Sequence, residues 1–377
     1  MKTNPQRFTS IRAKTPAIEG TTLQSAKSSG GLNNRSRRFR KHRLGTGVDG
    51  WTQKKGTQSS HKIQTSLQKD TDKTIISRNF SPDIPYDRSI NPYRGCEFGC
   101  NYCFARPTHT YLGLSPGLDF STKIFYKPEA ARLLERELRK ADYRCRTVAL
   151  GTNTDPYQPI EKTLRLTGSI LAVLLAFKHP VSIVTKSGLL LRDLDILTSM
   201  AEKGLVEVCI SISTLDQRLA STLEPRASEP MKRLSAIRTL ADSGIPCSVI
   251  AAPIIPALND YELKSILTSA RDAGATLASY ISLRIPLQIS HLFEEWLEAH
   301  EPNKAKHVMY FLAKTGQVKN DQPELTFSSK SPGEYMTLLA KRFEIITKSL
   351  GYGDQSHELD VNQFSYPVRE DKQLALF

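Results

Sequence analysis

Five short runs rich in β-branched residues, each preceded by one helical stretch, constrain this chain more than any other feature. The runs are residues 146–150 (RTVAL), 181–185 (VSIVT), 206–213 (VEVCISIS), 245–252 (IPCSVIAA) and 277–285 (LASYISLRI). Their length and apolar content read as strands covered on both faces. Helical patterns span 128–141, 163–178, 191–203, 230–243 and 260–273, and Gly204, Gly244 and Gly274 stand where helix C-caps belong. A strict β, α, β, α order predicts a parallel sheet with crossover helices. One more strand just before Cys96 makes six βα units. That is too few for a closed eight-fold barrel and right for an open (β/α)6 partial TIM barrel, with its chemistry at the C-terminal strand ends. The expected division is a basic arm over 1–80, a core over 81–290 and a helical C-terminal extension over 291–377, which includes a helix over 331–350.

The arm is set apart by charge. Residues 1–60 hold thirteen Lys or Arg against Glu19 and Asp49, so they carry +11 of the total +14. With few aromatics and many Ser, Thr, Gly and Asn, such a segment cannot offset the entropy of folding and is expected to be disordered. Its densest run, Arg35-Ser36-Arg37-Arg38-Phe39-Arg40-Lys41-His42-Arg43, suits nucleic-acid phosphates, with a solvated tail as the ordinary alternative; the Arg- and Ser-rich, acid-poor start is also compatible with a transit peptide. No stretch offers the ~18 consecutive apolar residues that a membrane span needs. The start lacks a secretory h-region, and six cysteines in a chain this large are not a staple framework, so a reducing, cytoplasmic setting is expected.

The chemistry concentrates in Arg94-Gly95-Cys96-Glu97-Phe98-Gly99-Cys100-Asn101-Tyr102-Cys103-Phe104-Ala105-Arg106-Pro107. Three thiols within eight residues can converge on one soft-metal centre, and Gly95 and Gly99 let the loop curl around it. A structural zinc site needs a fourth ligand. The nearest candidate, His109, lies six residues on in a Pro-interrupted stretch. A 4Fe-4S cluster held by three cysteines instead keeps one iron free for a small molecule.

The Cys96-xxx-Cys100-xx-Cys103 spacing, with Tyr102 before the last cysteine, resembles the radical S-adenosylmethionine superfamily. The run Ile90 to His109 (INPYRGCEFGCNYCFARPTH) resembles its spore photoproduct lyase-like branch. The resemblance spans roughly residues 75–290. It implies a cluster on Cys96, Cys100 and Cys103 whose unique iron chelates S-adenosylmethionine and splits it to methionine and a 5′-deoxyadenosyl radical. It also implies an external reductant such as flavodoxin or ferredoxin.

Other candidate contacts stand at predicted strand ends. The turn Gly151 to Glu161 offers Asn153 and Asp155 to the ammonium of the cofactor's methionine moiety, with a turn cap as the ordinary alternative for Asp155. By resemblance to the lyases, Lys186 reaches the cofactor carboxylate. Ser211 and Ser213 suit the ribose hydroxyls, and Tyr102 suits adenine. Glu224, Arg226 and Arg284 read as an ion-pair group or as substrate contacts. The lyase pattern places a hydrogen-donating cysteine near the second strand's tip, where this chain has Leu150-Gly151-Thr152-Asn153. Cys145 and Cys247 start their strands and Cys209 lies mid-strand, so photoproduct repair is not expected unless a tyrosine such as Tyr157 or Tyr280 donates. No catalytic residue is identified. The substrate is not identified by these residues; a nucleic acid captured by the arm and a protein side chain are the classes to weigh. The competing class is a non-enzymatic iron-sulfur sensor or electron-transfer protein, which would ordinarily complete its cluster ligation.

Overall fold

A computed structural model describes residues 64–79, 86–315, 318–319, 333–353 and 358–367. The charged run 35–43 lies outside them. Ten strands organise the fold: β1 (Ser66–Lys69), β2 (Ile76–Arg78), β3 (Arg88–Ile90), β4 (Tyr93–Arg94), β5 (Lys123–Tyr126), β6 (Val148–Leu150), β7 (Val181–Thr185), β8 (Val206–Ile212), β9 (Cys247–Ile254) and β10 (Leu277–Ser282). Seven of them form one sheet in the order β10-β9-β8-β7-β6-β3-β2. Every neighbouring pair is parallel except β2 with β3. The fold is therefore α/β with a mostly parallel, open sheet.

Strand parity gives the sheet two unlike faces. Leu150, Ile183, Val208, Ile210 and Val249 are fully buried in one core with Leu134, Leu171, Leu197, Ile237 and Ile266 of the crossover helices. Each such side chain contributes roughly 1.5–3 kcal/mol on burial. The alternate positions carry Ala149, Ser182, Glu207, Cys209, Ser211, Ser248, Ile250 and Ser279. Register keeps these side chains together, with Ser182 opposite Glu207, Cys209 opposite Ser248, and Ser211 opposite Ile250. Of that second face, Ser248 and Ile250 are half-buried and Ser279 is exposed.

The helices fall where the pattern puts them. Ala130–Leu138, Leu166–Ala176, Leu194–Ala201, Pro230–Asp242 and Leu263–Asp272 return the chain between strands. The expectation fails at the arm, because residues 66–69 and 76–78 are strands and not part of a structureless segment. β1 is exposed along its whole length and is held by backbone pairing to β5. Composition records burial and is blind to such edge pairing. The strand next to Cys96, β4, belongs to a separate sheet of order β1-β5-β4, and the main sheet begins with β3.

The helices Leu287–His300 and Pro302–Lys314 pack against the cysteine loop. Leu292, Phe293, Trp296 and Leu312 share one apolar cluster with Phe98, Cys100, Tyr102 and Phe120. Trp296 Nε1 donates to the Thr222 carbonyl at 3.0 Å. Among the described residues no helix is long and apolar enough to cross a membrane.

The β6 tip turns at Gly151, whose φ of +89° belongs to the left-handed region. A Cβ there would lie 2.0 Å from the Val184 carbonyl oxygen of the neighbouring strand. Gly151→Ala is expected to cost about 2 kcal/mol or more and to lower the melting temperature by roughly 4–8 °C. Thermal unfolding of the two proteins checks this.

Candidate functional site

The cysteine loop is built from backbone bonds around one arginine. Gly95, with φ of +81°, brings the chain so close to its neighbours that a Cβ would meet the Phe120 oxygen at 2.8 Å. Cys96 N–H donates to that oxygen at 3.0 Å, Gly99 N–H to the Cys96 carbonyl at 3.3 Å, and Cys103 N–H to the Cys100 carbonyl at 3.4 Å. Arg106 is fully buried inside the curl. Its Nε donates to the Cys100 carbonyl at 2.8 Å and its Nη2 to the Gly99 carbonyl at 2.8 Å. Its Nη1 reaches the carbonyls of Pro116 (3.0 Å) and Gly117 (2.7 Å). A planar fork of donors is thus used on four acceptors, a fit that a single ammonium cannot reproduce. Two further clasps hold the loop: Gln158 Oε1 accepts from Glu97 N–H at 2.8 Å, and Glu97 Oε2 accepts from Ile160 N–H at 2.5 Å.

The three thiols lie close enough to feel one another's charge. Cys96 and Cys100 are buried and Cys103 is half-buried. Burial pushes all three thiols up, Cys100 to about 12, so metal binding must displace their protons. The loop also prepares for thiolates. Asp155 N–H faces the Cys96 sulfur, and the amides of Ala105 and Arg106 face Cys103. Hydrogen bonds of this kind tune iron-sulfur centres. His109 Nε2 lies 3.0 Å from the Lys123 carbonyl, and its ring packs edge-on to Phe120. Among the described residues no three His, Cys, Asp or Glu side chains gather as ligands of a single ion. A four-iron cube takes each thiolate at a separate iron, so its ligands stand further apart than those of one zinc. Soft donors, amides aimed at the sulfurs and a rigid curl fit such a cube.

Facing the loop are the ends of β7, β8 and β9. Lys186, directly after β7, donates to Ser211 Oγ at 2.6 Å and to the Ala252 carbonyl at 3.2 Å, and pairs with Glu224 at 3.4 Å. Its ammonium sits 5.9 Å from the centre of the Tyr102 ring, and the Tyr102 hydroxyl donates to Glu224. Arg233 donates to the other Glu224 oxygen. Burial alone would raise the Glu224 carboxyl, yet Arg233, Lys186 and the hydrogen bonds pull it down to about 2. Ser213 is buried and its hydroxyl has no hydrogen-bond partner, an orphan polar atom two residues beyond Ser211 on the same face. Tyr102, Lys186 and Ser211 are thus brought together, with Ser213 next along β8.

Asn153 and Asp155 are placed differently. Asn153 has an exposed side chain at the turn, and its N–H donates to Asn91 Oδ1 at 3.2 Å. Asp155 Oδ1 accepts from Tyr157 N–H at 2.8 Å and Thr185 Oγ1 at 2.7 Å, while Oδ2 accepts from Lys186 N–H at 2.8 Å. Asp155 therefore ties the β6 turn to the β7 end, the cap arrangement, and lies beside Cys96 while doing so. The ion-pair group regroups as well: Glu224 takes Arg233 and Lys186, whereas Arg226 reaches Glu97 at 4.0 Å. Arg233 and Arg106 were given no role by the sequence. Their signal was a charged residue inside an otherwise apolar period, as Arg233 is in the helix Pro230–Asp242.

The remaining thiols and tyrosines lie apart from the loop. Cys209 faces the half-open side of the sheet, where Ser248 Oγ donates to its sulfur at 2.9 Å, and burial pushes the thiol to about 12. Tyr157 is buried with its hydroxyl on Asp193 at 3.1 Å, and the Tyr280 ring packs 4.8 Å from Phe343. A hollow of about 700 Å³ lies at the opposite, N-terminal ends of the strands, lined by Tyr86, Arg146, Glu207 and the segment 358–362. It shares no residue with the cysteine loop.

Residues 90–270 match the radical SAM superfamily model. This segment of the chain belongs to the radical SAM superfamily. Members of that superfamily use a 4Fe-4S cluster and S-adenosylmethionine. Similar proteins include an uncharacterized protein of Mycobacterium tuberculosis, 39% identical over 221 residues that make up 58% of this chain and 65% of that protein. An uncharacterized protein of Methanocaldococcus jannaschii is 31% identical over 173 residues, 46% of this chain and 62% of that one. The chain thus spans a little under two thirds of the length of the curated relatives it matches. Among solved structures, a cysteine-to-serine mutant of spore photoproduct lyase is similar in fold, with a TM-score of 0.50 at 16% identity over 76% of this chain and 80% of that one.

Replacing Arg106 tests the construction of the loop. Arg106→Met leaves four buried carbonyls without their donor and is expected to cost about 3 kcal/mol or more. Arg106→Lys recovers only part of this. Melting temperature and bound iron per chain after anaerobic reconstitution should both fall in the order wild type, Lys, Met.

Proposed function

We propose that this chain is a radical S-adenosylmethionine enzyme that splits its cofactor reductively and turns the resulting 5′-deoxyadenosyl radical on a nucleic-acid substrate. The observation that carries the reading is the pairing of the three-thiol loop with a polar wall, Lys186, Ser211 and Ser213, at the ends of β7 and β8. A bound cluster supplies the electron that breaks the sulfonium bond. Cys96, Cys100 and Cys103 hold it. Lys186 attracts the cofactor's carboxylate, Ser213 offers its unpaired hydroxyl to the ribose, and Tyr102 lies against adenine. Asp155 fixes the β6 turn and presents its own amide to Cys96, and Asn153 stands at the exposed rim of the same turn. We read the six parallel strands as an open (β/α)6 partial barrel and the setting as cytoplasmic, with a flavodoxin or ferredoxin as electron donor. The sensor reading is less favoured, because a carrier has no use for a buried cation and an unpaired hydroxyl beside its cluster.

The nucleic-acid part rests on charge and attachment. The +11 of residues 1–60 precedes a chain that is tied down beside the thiols. Thr65 Oγ1 donates to Glu97 Oε1 at 2.8 Å, and Arg226 Nη1 donates to Thr65 Oγ1 at 3.4 Å. Glu97 directly follows Cys96. A polyanion drawn to the basic residues is thereby delivered to the cysteine end of the sheet.

Anaerobic reconstitution with iron and sulfide, followed by dithionite and S-adenosylmethionine, should release 5′-deoxyadenosine. Any one of Cys96→Ala, Cys100→Ala or Cys103→Ala should abolish release, and a wild-type protein that binds a cluster yet releases none returns the sensor reading. Deleting residues 1–60 should weaken binding to a single-stranded oligonucleotide by at least about tenfold at low salt and flatten the salt dependence. Equal affinity of the two forms by fluorescence anisotropy would refute the role of the arm.

A further inference from the structure

We infer that Glu224 is a positioning residue that links the Lys186 end of the site to the cysteine loop and holds the reduction potential of a cluster bound there low. This rests on the function proposed above and deepens it. Glu224 directly follows the helix Gln217–Leu223 and is buried, with its side chain wholly out of solvent. A carboxylate in that position is retained only if its oxygens are satisfied. Both are. One oxygen takes the Tyr102 hydroxyl and the Lys186 ammonium, and the other takes the Arg233 guanidinium. Arg233 is itself buried and anchored on the carbonyls of Ser211 (3.0 Å) and Ser228 (2.7 Å), so the carboxylate is fixed from behind.

Each group on Glu224 leads to a different part of the site. Tyr102 lies between Cys100 and Cys103 in the loop. Lys186 donates to Ser211 Oγ and to the Ala252 carbonyl, and its ammonium forms an ion pair with Glu224 at 3.4 Å. The Glu224 contact is the longest of the three, so it is the one an arriving carboxylate displaces at least cost. Glu224 would then keep Arg233 and, through Tyr102, its tie to the cysteine loop. The Tyr102 hydroxyl on Glu224 and the Lys186 ammonium 5.9 Å from the Tyr102 ring place one anion and one cation beside the residue that stands between Cys100 and Cys103. Their signs govern an electron entering a cluster on those sulfurs: a nearby anion disfavours it and a nearby cation favours it. A carboxylate that neutralises Lys186 unmasks Glu224, so occupation of the Lys186 site and the potential of the cluster become linked.

The test is an EPR-monitored redox titration of anaerobically reconstituted wild type, Glu224→Gln, Lys186→Met and the double variant. Glu224→Gln should shift the midpoint to more positive potential and Lys186→Met to more negative, with the double variant near wild type because the two changes in charge cancel. A scaffold role alone moves no midpoint in opposite directions, and four superimposable titrations overturn the inference. Should Glu224→Gln fail to fold, Glu224→Asp keeps the charge while drawing it back from Lys186. Its midpoint should stay at the wild-type value while affinity for S-adenosylmethionine, read by equilibrium dialysis, changes severalfold; unchanged affinity overturns the positioning role. A wild-type chain that takes up no reducible cluster removes the functional reading itself, which a normal cluster with unmoved midpoints does not.

Discussion

The difference between the two faces of the parallel sheet is the constraint on which the rest depends. On one face the central strands contribute large aliphatic side chains, and five helices cover them. On the other, the same strands carry mostly serine, alanine and cysteine, with Glu207 and Ile250 among them, and that face stays partly open. Because side chains alternate along a strand, the choice of one face for packing leaves the other free for chemistry. The parallel direction then gathers all the strand ends at one edge, where Lys186, Ser211 and Ser213 meet the cysteine loop.

Much of this was legible in the sequence because its causes are local. The run VSIVT is apolar, β-branched and five residues long, and β7 occupies it from end to end. The strands β8 and β9 differ from their expected bounds by one or two residues, where the chain bends into a turn or the pairing begins. Three cysteines at fixed spacing announce their purpose without any tertiary information. What stayed hidden depends on partners far along the chain. β1 is a strand only because β5 lies beside it, nearly sixty positions later. Arg233 looks like any surface residue on a helix until Glu224 and the Ser211 carbonyl are known to lie behind it. Asp155 was as consistent with a cofactor contact as with a cap, and three donors now occupy its oxygens.

Buried charge is the costliest material in the structure, and it lies around the thiols. Arg106 and Arg233 are almost wholly out of solvent, and each is surrounded by acceptors: four carbonyls for the first, a carboxylate and two carbonyls for the second. A network of this kind is stable only when complete. That makes the site rigid before anything binds, so little ordering remains to oppose the binding of a cofactor.

The apolar wall behind Cys100 and Tyr102 comes from the helices that follow the sheet, out to Leu312. During synthesis the thiols leave the ribosome some two hundred residues before that wall does. Until the later helices arrive, the loop is open to water and oxygen on the side they will cover. Iron and sulfide delivered to a nascent chain would meet an unfinished container, so the metal centre should be assembled after translation has passed these helices.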